Sequence, residues 1–121
     1  MAQTYNIHVD QGSTYTLTVT YTTSAVGVNV DLTGYEARMQ VRASTEDVAT
    51  LASFTSSPVA GLEIVAPATN GEVKLTITSV QTAAYAFKNA VYDLEVFDAS
   101  VPPDVIRLIQ GRFVVNPEVT R

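Results

Sequence analysis

The single histidine of the chain, His8, stands in "NIHVDQG" with Asp10 two positions on. On an extended strand the two side chains share a face, a first requirement for a base oriented by a carboxylate. A hydroxyl nucleophile would have to come from elsewhere, and Asp10 followed by Gln11-Gly12 reads as the start of a turn. His8 therefore reads as an ordinary strand-face residue. Asp93 and Glu95 in "VYDLEVFD" also share a face, but acid–base chemistry between them needs a cleft that a small sandwich has little material to build. Asp98 with Asp104, or Asp31 with Asp10, would set oxygens around calcium only if their loops met, and no D-x-D-x-D-G loop is present. The chain has no cysteine, which excludes thiolate zinc sites, cysteine nucleophiles and disulfides. It also lacks GxGxxG, P-loop and G-x-S-x-G patterns. No catalytic, metal or cofactor site is expected.

What remains is a pattern of charge. In "VDLTGYEARMQVRAS", residues 30 to 44, Tyr35, Ala37, Met39, Val41 and Ala43 share one parity, with Glu36, Arg38, Gln40 and Arg42 on the other. Arg38 and Arg42 on one strand face are candidate cross-sheet or intersubunit partners for Asp93 and Glu95. The bland alternative is a solvated sheet face, where an exposed pair contributes only about 0 to 1 kcal/mol. Phe97 follows the inward Val96 and so turns outward, as a contact for a neighbouring edge or a sister subunit. With Tyr5 and Tyr85 it is also a free aromatic for a sugar platform, although the chain has no tryptophan. Pro117 and Arg121 bound a short terminal "PEVTR", expected to dock on its own domain or on a neighbour.

A formal net charge of -5 and a pI near 4.6 argue against an electrostatic nucleic-acid binder, which needs clustered cations to release phosphate counterions, and against an anionic membrane surface. "MAQTYNIHVDQGS" has no basic stretch followed by an apolar one, and no window is apolar over a bilayer-spanning length. At 121 residues a single domain over 1–121 is expected, able to bury about two thirds of its unfolded surface.

These side chains must be positioned by strands, because the dominant period is two. Tyr15, Leu17, Val19 and Tyr21 alternate with threonines in "TYTLTVTY", and Val73, Leu75 and Ile77 alternate with polar residues in "GEVKLTITS". Asn70-Gly71 suggests a type I′ hairpin pairing that strand with "LEIVA". Tyr92, Leu94 and Val96 point inward from "AVYDLEVFD". In the last strand the inward parity is even at Ile106 and Leu108 but odd at Phe113 and Val115, which places a β-bulge at Gln110-Gly111. Pro117 ends the ladder. "YNIHV", "VGVNV" (26–30) and "VATLASF" (48–54) are weaker strands, and "SVQTAAYAF" (79–87) is the one helical candidate, capped by Ser79. Met39 and Val41 complete the expected core. Seven to eight short strands with turns between them indicate an all-β, antiparallel immunoglobulin-like sandwich.

Taken in order, "DQGSTYTLTVTY", "VDLTGYEARMQVR", "NGEVKLTIT", the threonine of "TAAY", "VYDLEVFD" and "RLIQGRFVVNPEVTR" resemble a family of tailed-bacteriophage proteins, the β-sandwich domains of long tail fibre attachment and tail collars. Gln11, Gly12, Leu32, Thr33, Gly34, Arg38, Arg42, Tyr92, Asp93, Leu94, Gly111 and Arg112 match that pattern. The resemblance implies a virion structural protein, made in the host cytoplasm and packed in several copies in a ring at the tail, collar or baseplate. Its implied partners are other tail proteins and a tail fibre. It supplies no catalytic residues. A carbohydrate-binding or adhesive domain, and a capsid decoration protein, are the alternative readings.

Overall fold

Alternation decides which face of each strand is buried, and two sheets result. The computed structural model describes residues 3–22, 29–47, 49–57, 59–100 and 102–117. Its strands are β1 (Gln3–Thr4), β2 (Ile7–Asp10), β3 (Tyr15–Thr20), β4 (Glu36–Arg42), β5 (Ala52–Ser56), β6 (Val59–Ala60), β7 (Leu62–Ile64), β8 (Glu72–Ile77), β9 (Asn89–Phe97) and β10 (Val105–Asn116). The larger sheet runs β1-β10-β9-β4-β5-β6, with β2 also on β10, and the smaller runs β3-β8-β7. The two sheets make an immunoglobulin-like sandwich with a large and a small sheet. The fold is all-β as expected, with ten strands among the described residues where seven or eight were read from the pattern. All strand pairs are antiparallel except those of β1 and β2, which run parallel to β10.

The core lies between the sheets. Ala37, Met39 and Val41 of β4, Leu94 and Val96 of β9, and Val73, Leu75 and Ile77 of β8 are at most 1% exposed. They meet Phe54, Leu62 and Phe113, which are buried as well. Tyr15, Leu17, Val19 and Ile106 face inward on the expected parity but are only partly buried.

Four local expectations need correction. The bulge is at Leu108, where the register passes from Arg107 opposite Glu95 to Ile109 opposite Leu94, so Leu108 and Ile109 are both buried. Gly111 serves a different purpose: a Cβ there would sit 2.4 Å from the Tyr5 carbonyl oxygen and 2.9 Å from Asn6 Oδ1. The chain between β1 and β2 lies on that glycine, with Tyr5 N–H donating to the Gln110 carbonyl (2.8 Å) and Arg112 N–H to Asn6 Oδ1 (3.1 Å). β7 does pair with β8, but the connection is longer than a two-residue hairpin turn. It holds a 3-10 turn at Ala68–Asn70, closed by Gly71 at φ 67.

The helix, α1, is a single turn at Ser79–Ala83, capped by Thr78 and not Ser79. Thr78 Oγ1 accepts from Gln81 N–H while Gln81 Oε1 accepts from Thr78 N–H, a reciprocal capping box. The "VATLASF" strand starts only at Ala52, and Val48 lies outside the described residues. So does most of "VGVNV", of which Asn29 bridges to Thr22.

Candidate functional site

The outer face of the large sheet collects the charged side chains. Glu36, Arg38, Gln40 and Arg42 point out from β4, and Asp93 and Glu95 from β9. Arg107, Gln110 and Arg112 belong to β10, opposite Glu95, Asp93 and Val91. Four of the seven cationic side chains of the chain stand here, with three of its twelve acidic ones. On a chain of net charge -5, this face carries more cationic than acidic side chains.

Register makes the pairs. Arg38 is directly opposite Glu95, and its Nε donates to Glu95 Oε1 at 2.9 Å. The Arg38 guanidinium also lies 4.5 Å from the centre of the Phe97 ring, within cation–π range. Phe97 does lie on the outer face, but it is half-buried, and Arg38 covers it.

Arg42 and Asp93 do not form the second direct pair. Arg42 donates to the Asp47 carbonyl (2.9 Å) and to Gln40 Oε1 (2.7 Å). Asp93 Oδ2 instead lies 3.5 Å from Nε of Arg107, whose Nη1 also donates to Gln110 Oε1 at 2.8 Å. Burial pushes the Asp93 carboxyl above its usual range and the neighbouring Glu95 charge adds to that, while Arg107, Arg42 and Arg38 oppose it. Arg107 and Gln110 were missed because alternation shows a residue's face but not its neighbour on the next strand. Between these side chains is an open concavity of about 600 Å³, lined by Gln40, Arg42, Asp93, Glu95, Arg107 and Gln110, with Thr4, Thr45, Val91, Tyr92 and Gly111. It offers donors and acceptors of both signs, which suits polar or charged surface better than an apolar ligand.

The other candidates fall elsewhere. His8 is exposed on β2 beside Val114, and Asp10 accepts from Asn116 Nδ2 at 3.0 Å. Asp98 Oδ1 accepts from the Ser100 hydroxyl and from Asp104 N–H (2.8 Å), with Ser100 N–H a weaker third donor, and these bonds hold its carboxyl below the usual range. Asp104 Oδ2 accepts from the Tyr35 hydroxyl at 2.8 Å. Asp31 accepts from Thr33. Asp31 and Asp98 close turns, Asp104 ties its loop to Tyr35, and Asp10 joins β2 to β10. Among the described residues no cluster of three or more His, Asp or Glu is placed to hold a metal. Tyr85 is no open sugar platform, because its ring packs against Phe87 and edge-on to Phe113. Tyr5 remains 45% exposed. Pro117 follows the end of β10, exposed, and Arg121 lies outside the described residues.

Several residues of the ordered sequence pattern explain one another. Thr82, fully buried, accepts the Gly12 N–H at 3.0 Å and donates to the Ser13 carbonyl at 2.8 Å. Gln11 Nε2 donates to the Ala83 and Tyr85 carbonyls at 3.3 and 3.2 Å. "DQGS" and "TAAY" are thus two halves of one clasp that joins the β2–β3 turn to α1. Tyr92 donates its hydroxyl to the Tyr5 carbonyl, and Leu32 and Leu94 are core. Gly34 takes a φ of 83. Most of the pattern specifies the fold, and Arg38, Arg42, Asp93 and Arg112 are the members left on the outer face. No family model matches the chain, and no curated protein matches it.

Proposed function

We propose that this chain is a virion structural protein of a tailed bacteriophage. It acts as an assembly module of the tail or tail tip, at the collar or baseplate, packs in several copies and anchors neighbours such as a tail fibre. The observation that carries this reading is the outer face of β10-β9-β4, where cations concentrate on an otherwise acidic chain around a polar concavity. Partially desolvated charges of both signs on a rigid sheet suit register-specific docking against a protein surface. The ordered sequence pattern supplies the phage context, and a chain of this kind works through its surface and not by turnover.

The test is charge reversal on the face. Arg42→Glu, assembled into particles in place of the wild type, is expected to fold with an unchanged melting transition but to be lost from purified particles. Wild-type incorporation of that variant would overturn the proposal.

A further inference from the structure

The strands that end the two sheets are not alike. β1 and β6 are two residues long, β7 has three and carries Glu63, and β2 carries His8 and Asp10. Short length and charge are the usual means by which sheet proteins guard an open edge. β3 has neither. It runs six residues, Tyr15–Thr20, without charge or proline, and its register with β8 is unbroken from Tyr15 opposite Ile77 to Thr20 opposite Glu72. Among the described residues β3 pairs on one side only.

Which backbone groups the open side presents follows from parity. Tyr21 N–H donates to the Gly71 carbonyl at 2.8 Å, toward the β8 side. Hydrogen-bonding direction alternates along a strand, so Tyr15, Leu17 and Val19 also direct their backbone groups to β8. The N–H and C=O groups of Thr16, Thr18 and Thr20 then face out of the sheet edge. The side chains tell the same story: Tyr15, Leu17 and Val19 are only partly buried, whereas their partners Ile77, Leu75 and Val73 are at most 1% exposed. The sandwich is incompletely covered on this flank.

We infer that the β3 edge is a self-association site, where β3 of a second copy pairs antiparallel across a two-fold axis at Thr18. That register sets Thr18 against Thr18 and Thr16 against Thr20, so each threonine both donates and accepts across the axis. Thr–Thr pairs are favourable cross-strand neighbours. It also sets Leu17 against Val19 on the inward face, which covers the half-exposed apolar row. A one-residue slip would oppose threonine to leucine and turn the apolar row away from its counterpart. The edge is therefore self-complementary in one register, and the joined small sheets become one continuous sheet. This contact is separate from the charged face and does not depend on what that face binds.

The absence of cysteine in the chain allows a register-specific test on the full-length protein. Hydrogen-bonded antiparallel partners have Cα atoms about 5.5 Å apart, within disulfide range. Under mild oxidation Thr18→Cys is expected to form a disulfide-linked dimer. Thr16→Cys alone stays unlinked, and Thr16→Cys mixed with Thr20→Cys cross-links. Thr18→Glu places a carboxylate opposite Lys74 of its own sheet but opposes like charges at the axis, so it should weaken dimerisation by at least about tenfold in sedimentation equilibrium while the fold is kept. A wild-type protein that stays monomeric at all concentrations overturns the inference. So does a dimer that withstands Thr18→Glu and gives no Thr18→Cys cross-link.

Discussion

Replacing Thr82 by valine isolates the clasp between the β2–β3 turn and α1. Valine has nearly the shape of threonine, so the change opens no cavity and removes only the hydroxyl. That hydroxyl accepts from Gly12 N–H (3.0 Å) and donates to the Ser13 carbonyl (2.8 Å), with the Ser79 carbonyl a further acceptor at 3.2 Å. Each net hydrogen bond is worth about 0.5–1.5 kcal/mol, which gives about 1–3 kcal/mol for the two cross-chain bonds. Gly12 is half-buried and Ser13 exposed, so water recovers part of the loss and the lower half of that range is expected, about 1–2 kcal/mol. In urea denaturation the midpoint should fall with the slope unchanged, because the surface exposed on unfolding is the same. Thermal melting should drop by roughly 4 °C per kcal/mol. Thr82→Ser keeps the hydroxyl and should retain the turn geometry. A Thr82→Val protein within about 0.3 kcal/mol of wild type would refute the view that this threonine carries the clasp.

Leu75→Ala and Leu94→Ala each remove a side chain 1% exposed and should destabilise by about 2–5 kcal/mol in denaturant melts; near-zero effects at both would mean the core is misassigned. Gly111→Ala places a Cβ against the Tyr5 carbonyl, where only backbone can yield, and should destabilise by about 1–3 kcal/mol; a neutral result would show that the β1–β2 segment does not lie on β10. Stability should fall in alkali, because burial raises Tyr15 to about 12 and also raises Tyr85 and Tyr92. The folded state keeps these protons where the unfolded chain, with tyrosines near about 10, has lost them. Their contribution is therefore present below about pH 10 and lost as pH rises toward about 12. Titration of all six tyrosines near pH 10, with no loss of structure, would contradict this.

Period-two alternation made the strands legible at Met39, Val41, Leu75, Ile77 and Leu94, whose inward direction follows from parity. It also placed Arg38 and Glu95 on one outer face. What it could not supply was adjacency. Arg107 meets Asp93 only because β10 lies beside β9 in a register that a bulge shifts, and the parity switch between Leu108 and Phe113 left that bulge free to sit at any of several positions. Gly111 read as a bulge glycine because a close approach of remote backbone leaves the same mark in sequence as a turn. The parallel pairing of β1 and β2 with β10 had no local signature, being a contact between the two ends of the described chain. The half-covered row on β3 looked like core for a similar reason: alternation shows where a side chain points, not whether anything covers it.

The most direct test of the assembly proposal is a reconstruction of the intact tailed particle at a resolution that traces strands. Several copies in the tail or tail tip, each with the Arg38–Glu95 and Arg107–Asp93 face against a neighbouring chain, are the expected result. Particles that lack the protein, or that carry it only on the capsid with this face turned to solvent, would contradict the proposal.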